Sequence, residues 1–350
     1  MTPTVAVALL GLGIINDTHR RILGQLPNVR ITAVWDPLPE RSRTVAAEIG
    51  SHCHAYDDHR ELLTQVPVDC AYIAVPPHRH SDHEILAARR GLPFLVEKPI
   101  VRHLGQARLI EAEICKSGVL HAVGYHNRYT PHARLARETL DGAVVGLTMG
   151  WTCWVNQVRG SQRPWHSWLF DDHQGGGQLH EHTTHVFDLA RFFVGDVRRV
   201  FASRAQRLPH DIPGYNTADV NAVQLEFENG AIGQIVATHM TPTAYWWGIN
   251  VLADRAIVEY NQRKLRVQVR ERSEEYEPDA PLGGHYWEDA AFIEAVRTGN
   301  QSLIQSTYSD AIKTTAISIA ALESAQRGEP VAIETVLQRS HEETAAYQVV

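Results

Sequence analysis

The chain has 350 residues, of which 44% are hydrophobic and 21% are charged, and its formal net charge at pH 7 is −7. This composition is typical of a soluble globular protein that is long enough for two domains. The negative charge argues against nucleic acid or an anionic membrane as a partner, and the chain has no apolar run long enough to cross a bilayer.

The cysteines and the amino terminus indicate the compartment. There are four cysteines and no CxxC pair, namely Cys53, Cys70, Cys115 and Cys153. This pattern predicts reduced thiols in a cytoplasmic protein. The apolar amino terminus is short and has no basic flank, so it is interpreted as a first strand rather than as a signal peptide.

The first third of the chain alternates apolar runs with helical patterns. The pattern predicts strands over 5–10, 31–35, 68–75, 94–96 and 120–123. It predicts helices over 16–26, 39–49, 58–65, 80–90 and 104–117. Strands and helices that alternate with short connections predict an α/β domain with a doubly wound parallel sheet.

The pattern changes after about residue 125, so we predict two domains, 1–124 and 125–350. After a helix over 131–140, alternating strands over 223–228 and 231–238 flank Asn229-Gly230, which predicts a hairpin. Further strands follow over 249–252, 256–260 and 265–269, and then helices over 287–298 and 308–327. The second domain is expected to hold an antiparallel sheet with helices on one face. The last dozen residues are expected to be poorly ordered.

A glycine turn follows the first strand. The sequence Gly11-Leu12-Gly13-Ile14-Ile15-Asn16 keeps two of the three glycines of GxGxxG, and Asn16 replaces the third. The second strand ends at Asp36, 23 residues after Gly13, near the spacing expected for a ribose-binding acid. We predict a dinucleotide site at Gly11, Gly13, Ile14, Ile15 and Asp36; the alternative is an ordinary tight turn. We expect the helix to open at Asn16-Asp17-Thr18, which can cap it, and Asn16 to loosen the packing of the helix on the strand slightly.

The residue at the end of the second strand also bears on the choice of cofactor. The Asp36 carboxylate suits the 2′-hydroxyl of NAD and would repel a 2′-phosphate. Arg41 and Arg43 follow shortly after and could soften that preference. The prediction is therefore NAD, with NADP possible.

Lys98 lies at the carboxyl end of a strand. The apolar run Phe94-Leu95-Val96 stops at Glu97-Lys98-Pro99. Open α/β sheets bind ligands at the carboxyl ends of their strands. Beside a nucleotide turn, this lysine predicts redox chemistry on a hydroxyl or carbonyl, in which Lys98 would stabilise a developing alkoxide.

A second group of polar residues follows Gly175-Gly176-Gly177. Glu181 and His185 are four residues apart and are predicted to share a helix face, with Asp188 placed to orient the His185 ring. A histidine held by a carboxylate suits general acid–base catalysis, so His185 is the predicted acid or base and Glu181 its companion. The alternative is a helix start with incidental histidines.

The same segment raises the question of a metal. His180, Glu181, His182 and His185 are dense in ligand atoms. The zinc pattern HExxH would require histidine where Thr184 stands, so we predict no metal.

These motifs together resemble the Gfo/Idh/MocA oxidoreductase family over nearly the full length. The similar segments are the glycine turn with His19, residues 74–80, Glu97-Lys98-Pro99, residues 125–131, and residues 175–188 with His185 and Asp188. The resemblance implies a Rossmann domain and an α/β domain with a large open, mainly antiparallel sheet, which in the family often forms the oligomer interface. It therefore implies a homodimer or homotetramer.

The resemblance also implies roles for individual residues. Lys98 and His185 would be catalytic, and Glu181 stands where family dehydrogenases often carry an aspartate. The cofactor would also be contacted by residues of the similar segments, namely Val75, Pro76, His80, Glu97, Lys98 and Asn127.

The substrate is expected to be a sugar, polyol or cyclitol. Arg163 and Trp165 precede the glycine segment, and an aromatic face beside polar groups suits such a ring; Lys98, Glu181 and His185 complete the predicted substrate set. The alternative is that Trp165 packs in a core or an interface. Three other functions remain open: glycoside cleavage through transient oxidation by retained NAD, a catalytically silent nucleotide sensor, and a metal-dependent lyase.

Overall fold

The computed structural model describes residues 3–155, 168–208, 215–243, 245–278 and 283–344. Its strands are β1 (Val5–Leu10), β2 (Val29–Trp35), β3 (His54–Tyr56), β4 (Cys70–Ile73), β5 (Phe94–Val96), β6 (His121–Val123), β7 (Val145–Val155), β8 (Val197–Ala205), β9 (Val220–Phe227), β10 (Ile232–Thr241), β11 (Trp246–Ala253), β12 (Ile257–Asn261), β13 (Leu265–Val269), β14 (Arg272–Tyr276) and β15 (Val331–Ala332).

The helices of the described residues alternate with these strands. They are α1 (Ile14–Leu23), α2 (Pro39–Ile49), α3 (His59–Gln65), α4 (His83–Arg90), α5 (Leu104–Ser117), α6 (Pro131–Leu140), α7 (Gly177–Glu181), α8 (Thr184–Val194), α9 (Gly284–Thr298), α10 (Tyr308–Arg327) and α11 (Ile333–Glu343). Short 3₁₀ turns occupy Pro77–Arg79, His126–Tyr129 and Gln301–Leu303. Within the described ranges, no helix combines the length and the apolar character that a membrane span requires.

The described residues form two compact units. The first contains residues 3–129 and 283–310, and the second contains the described parts of 130–278 together with 311–343. Strands β1 to β6 form one parallel sheet in the order β3-β2-β1-β4-β5-β6. This is the strand order of the dinucleotide-binding fold. The predicted doubly wound sheet is confirmed.

The core of the first unit draws on both ends of the chain. Buried side chains of the central strands, such as Leu9, Tyr72 and Leu95, pack with Phe292 and Ile293 of α9. The Tyr72 and Phe292 rings pack edge to face at a centroid distance of 5.4 Å. The predicted helix over 287–298 is therefore confirmed, and it completes the core of the unit that contains β1.

The second unit is built on a nine-stranded sheet in the order β14-β13-β12-β11-β7-β10-β9-β8-β15. The predicted hairpin is confirmed, since β9 and β10 are antiparallel and the chain turns at Asn229-Gly230. The pair β7 and β10 is parallel, so the sheet is mixed rather than purely antiparallel. Buried helix α8 packs on β7 and β11 and covers one face of the sheet.

Some local details differ from the expectations. The strand predicted over 68–75 spans only Cys70–Ile73, and the three-residue edge strand β3 was not predicted because its pattern is too short to detect. The last dozen residues were expected to be poorly ordered; α11 continues through the first of them to Glu343, and residues 345–350 lie outside the described residues. This helix buries Ile333, Val336 and Ser340 at helical spacing and packs on β8.

Candidate functional site

The first unit places the glycine turn between β1 and α1. Gly11 has φ +79°, and a Cβ there would lie 2.5 Å from the Ala74 carbonyl oxygen, so the turn requires glycine. Gly13 precedes α1, and a Cβ there would meet no atom within 4 Å. None of the described side chains caps α1, so the N–H groups of its first turn suit an anion. Ile14 is exposed and Ile15 is partly buried beside them.

Asn16 does not act as predicted. Helix α1 begins at Ile14 rather than at Asn16. The buried Asn16 amide donates to the carbonyl oxygens of Leu10 and Gly11. The expectations that Asn16 caps the helix and loosens its packing are therefore wrong: the side chain ties α1 to the end of β1.

Asp36 is buried at the end of β2, where it is engaged by the backbone. Its carboxylate accepts hydrogen bonds from the Leu12 N–H at 2.8 Å and from the Leu38 N–H at 2.9 Å. Nη1 of Arg41 lies 3.3 Å from Oδ2 of Asp36. A carboxylate offers about four acceptor positions, so these contacts leave capacity for a ribose hydroxyl. Asp36 also fixes the glycine turn against β2.

The loop after β4 is held from inside the protein. Nε2 of His80 lies 3.1 Å from the Val75 carbonyl oxygen, and Nδ1 lies 2.5 Å from Glu84. Burial raises the pKa of Glu84, but the His80 ring more than offsets this and holds the pKa below its usual value. The His80 ring is fully buried, and both of its nitrogens contact protein atoms. Its role is therefore to hold the backbone of Val75, next to Pro76, rather than to contact a ligand.

The strand-end motif, Glu97-Lys98-Pro99 after β5, is anchored by a buried ion-pair network. Oε1 of Glu97 lies 3.1 Å from Nε2 of His19, and Nδ1 of the same ring lies 2.9 Å from Asp289. Oε2 of Glu97 accepts the Lys98 backbone N–H at 3.1 Å. Glu97 is thus held inside the unit, while the Lys98 side chain is only partly buried. The peptide bond between Lys98 and Pro99 is cis.

Two neighbouring residues of this unit, His126 and Asn127, lie in the short turn His126–Tyr129. Asn127 is buried there. The His126 ring stacks on His285 of α9 at a centroid distance of 3.7 Å. Burial lowers the pKa of His285 to about 4, so this ring is neutral at pH 7.

The second unit contains the segment Gly175-Gly176-Gly177. Gly176 and Gly177 both have positive φ. A Cβ on Gly177 would lie 2.5 Å from Oδ1 of Asp172 and would also collide with the Thr217 hydroxyl. The Gln178 amide donates to the Thr152 carbonyl oxygen at 3.1 Å, which ties α7 to the sheet.

Glu181 and His185 do not share a helix. Glu181 ends α7, His185 lies in the first turn of α8, and the chain breaks at His182 and Thr183 between them. The expected common helix face is therefore wrong. The His185 ring is partly buried and lies parallel to Trp247 at a centroid distance of 6.5 Å.

The other predicted residues of this unit are placed as follows. His180 is buried, and its Nδ1 lies 2.7 Å from the Ser318 hydroxyl. Asp188 is buried and accepts a hydrogen bond from Thr314 at 3.1 Å. Arg163 and Trp165 lie outside the described residues.

Asp289, which contacts His19, and Trp247, which lies beside His185, were not identified from the sequence. Asp289 is 270 residues from His19 in sequence and belongs to an otherwise ordinary helix, so no local pattern pointed to it. Trp247 is one of three adjacent aromatic residues, Tyr245-Trp246-Trp247, and no local pattern distinguishes it from the other two. Its burial and its alignment with His185 depend on β11 pairing with β7.

Comparisons with known proteins agree with this architecture. A model of the oxidoreductase family with an NAD-binding Rossmann fold matches residues 5–125, and a model of the GFO/IDH/MocA carboxyl-terminal domain matches residues 133–259. The chain belongs to the Gfo/Idh/MocA family. It is an NAD-dependent oxidoreductase whose first unit is the Rossmann domain.

Individual relatives of the Gfo/Idh/MocA family cover most of the chain. It is 25% identical to scyllo-inositol 2-dehydrogenase (NAD(+)) of Bacillus subtilis, over 95% of this chain and 98% of the relative. It is 26% identical to myo-inositol 2-dehydrogenase of Thermotoga maritima, over 65% and 67%. The solved structure of levoglucosan dehydrogenase with NADH and levoglucosan has the same fold, with a TM-score of 0.82, 21% identity and coverage of 94% and 99%.

Proposed function

We propose that the protein transfers a hydride between NAD and a secondary hydroxyl or ketone of a sugar, polyol or cyclitol. The observation that carries this proposal is the position of Lys98, at the carboxyl end of β5 in the same parallel sheet as the glycine turn. The names of the curated relatives, which include inositol dehydrogenases, support a ring polyol as the substrate class.

The described residues of the first unit fit a dinucleotide. The uncapped start of α1 and the open space at Gly13 suit a pyrophosphate, and the remaining acceptor capacity of Asp36 suits a ribose. Val75, Pro76 and Asn127 are the further cofactor contacts of the proposal. His80 and Glu97 contribute by holding Val75 and Lys98 in place. When bound, NAD accepts or returns the hydride.

Lys98 and His185 have different roles in this proposal. The Lys98 ammonium would stabilise the alkoxide that develops as the hydroxyl is oxidised. His185 would take the hydroxyl proton and return it in the reverse direction. Trp247, stacked against the His185 ring, limits how far that ring can turn. Glu181, Arg163 and Trp165 are the proposed substrate contacts.

The open face of the nine-stranded sheet is the proposed oligomer interface. Ile232 pairs with Leu147 and Val236 pairs with Trp151, so their side chains lie on one face. On the same face, Met149 is 40% exposed and Val236 is 44% exposed. Exposed apolar side chains clustered on one face of a sheet suit a second copy of the chain, in a homodimer or homotetramer.

We propose that residues 1–124, with Asn127 just beyond them, bind the nucleotide and that the rest of 125–350 supplies substrate and oligomer contacts. A cytoplasmic location is also proposed. All four cysteines are free, which suits a reducing compartment.

The test is NADH formation, followed by absorbance, from a panel of inositols, sugars and glycosides with NAD⁺ and then NADP⁺. The proposal expects NADH with at least one ring polyol. Cofactor binding without any NADH would contradict it. Release of an aglycone without net NADH would favour retained-cofactor glycoside cleavage.

A further inference from the structure

Two histidines and an aspartate meet beside the parallel sheet of the first unit. His59 begins α3, His83 begins α4, and Asp82 precedes α4. Each offers one ligand atom, and these atoms all lie within 4.8 Å of one another. Nε2 of His59 lies 2.7 Å from Oδ1 of Asp82, and the two imidazole rings stack at a centroid distance of 4.3 Å. The nearby helix starts thus gather two imidazoles and a carboxylate.

One atom of this cluster has no hydrogen-bond partner among the described residues. His83 is 2% exposed, and its buried Nε2 makes no hydrogen bond to any part of the chain that the structure describes. The other nitrogen, Nδ1, lies 3.3 Å from the Ser81 hydroxyl. Buried polar atoms are nearly always paired, and an unpaired one requires an explanation such as an ion. Its position beside His59 and Asp82 points to a ligand in the cluster.

We propose that His59, Asp82 and His83 bind a divalent transition metal ion, such as Zn²⁺, with water completing the coordination. Imidazole nitrogens favour zinc, cobalt and nickel, whereas Mg²⁺ and Ca²⁺ favour sets of oxygen ligands. Two imidazoles, one carboxylate and water also form a complete tetrahedral set for zinc. None of these three residues has a role in the proposed hydride transfer, so the metal proposal does not depend on that reaction.

The surroundings of the cluster orient its ligands. Nδ1 of His59 lies 3.7 Å from the Asp58 carboxylate, which places a negative charge on the side of the ring away from Asp82. Nε of Arg60 lies 2.9 Å from Oδ2 of Asp82, which leaves Oδ1 directed at His59. Outer contacts of this kind fix the orientation of metal ligands. A nitrogen that ligates the ion must be unprotonated, so with Nε2 on the metal the single N–H of a neutral His59 ring lies at Nδ1, on the side of Asp58.

The site has a natural reporter. The Trp35 ring lies 5.0 Å from the His59 ring and 5.4 Å from the His83 ring. An open-shell ion such as Co²⁺ bound there should quench Trp35 fluorescence. Because the ion would join the starts of α3 and α4, it should also raise the thermal stability of the protein.

The test titrates the chelator-treated full-length protein with ZnCl₂ and with CoCl₂ by calorimetry and fluorescence. We expect one tight Zn²⁺ per chain and a Co²⁺-dependent quench that is absent in W35F. H59Q and H83Q should each weaken Zn²⁺ binding by at least about tenfold. H54Q, which replaces an exposed histidine on β3, should bind as the wild type does.

Two results would overturn the proposal. One is the absence of tight Zn²⁺ or Co²⁺ binding by the wild type. The other is wild-type affinity in a folded H59Q. His59 is partly exposed, so H59Q is expected to fold even where H83Q does not, and its retained NAD binding would verify the fold.

Discussion

Nε2 of His19 lies 3.1 Å from the carboxylate of Glu97, so a residue of the first helix holds the strand-end motif. The same ring contacts Asp289, which comes from the far end of the chain. Since Glu97 also accepts the Lys98 backbone N–H, this network fixes the backbone from which the proposed catalytic lysine extends.

This network predicts a pH dependence of stability. Burial lowers the pKa of His19, but the carboxylates of Asp289 and Glu97 more than offset it, so the pKa is raised well above 6.5. The protonated ring therefore stabilises the fold fully below the unfolded pKa of about 6.5, and this contribution is lost as pH rises through the folded pKa.

The measurement is urea unfolding of the wild type and of H19Q from about pH 6 to about pH 9. H19Q should be less stable by about 3–5 kcal/mol at the acidic end, because the buried carboxylates of Glu97 and Asp289 lose their cation. The free energy of unfolding of the wild type should fall as pH rises above about 6.5, since the folded ring keeps a proton that the unfolded chain has lost. A wild-type free energy that stays constant or rises over this range would contradict the charged ring.

The two glycines of the turn should respond differently to alanine. G11A places a Cβ against the Ala74 carbonyl and strains a positive φ, so unfolding free energy should fall by at least about 1–2 kcal/mol. G13A meets no protein atom, so its stability should stay within about 0.5 kcal/mol of wild type. G13A should nevertheless bind NAD much more weakly. Wild-type NAD affinity in G13A, measured by calorimetry, would place the pyrophosphate elsewhere.

Arg41 should govern the use of NADP. Its guanidinium already lies beside Asp36, where a 2′-phosphate would arrive. R41A should weaken NADP binding by about tenfold or more, the value of a charge-assisted hydrogen bond, and should change NAD binding little. The control is R43A, because Arg43 is exposed and pairs with Glu40. Equal losses for NAD and NADP in R41A would contradict this role.

The open sheet face should control assembly. M149K or V236K adds a charge to the apolar face and should shift the protein to a smaller species in sedimentation experiments. Q338K, on the exposed side of α11, should leave the assembly unchanged. If both sheet variants sediment as the wild type does, the interface lies on another surface.

The sequence predicted most of the first unit because its strands are short, apolar and bounded by glycine or proline. Gly11, Asp36 and Lys98 could each be found from one local pattern. Contacts across long sequence separations could not: Asp289 meets His19, and Phe292 completes the core, only because α9 returns to the first unit.

The second unit was predicted less completely. The hairpin at Asn229-Gly230 follows from local turn chemistry, but the parallel pairing of β7 with β10 is a non-local choice. The break between α7 and α8 also escaped prediction, since residues 177–194 carry one nearly continuous helical pattern. For the same reason Glu181 and His185 were predicted to share a helix face, whereas they belong to different helices.

The most direct test of the central claim is the rate of hydride transfer in K98A and H185A, measured beside their NAD affinities. The account predicts that kcat falls by about 10²–10³ in K98A and by about 10²–10⁴ in H185A. NAD affinity in H185A should stay at the wild-type level, because the cofactor residues belong to the first unit. Wild-type kcat in both folded variants would contradict the assignment of the reaction to these two side chains.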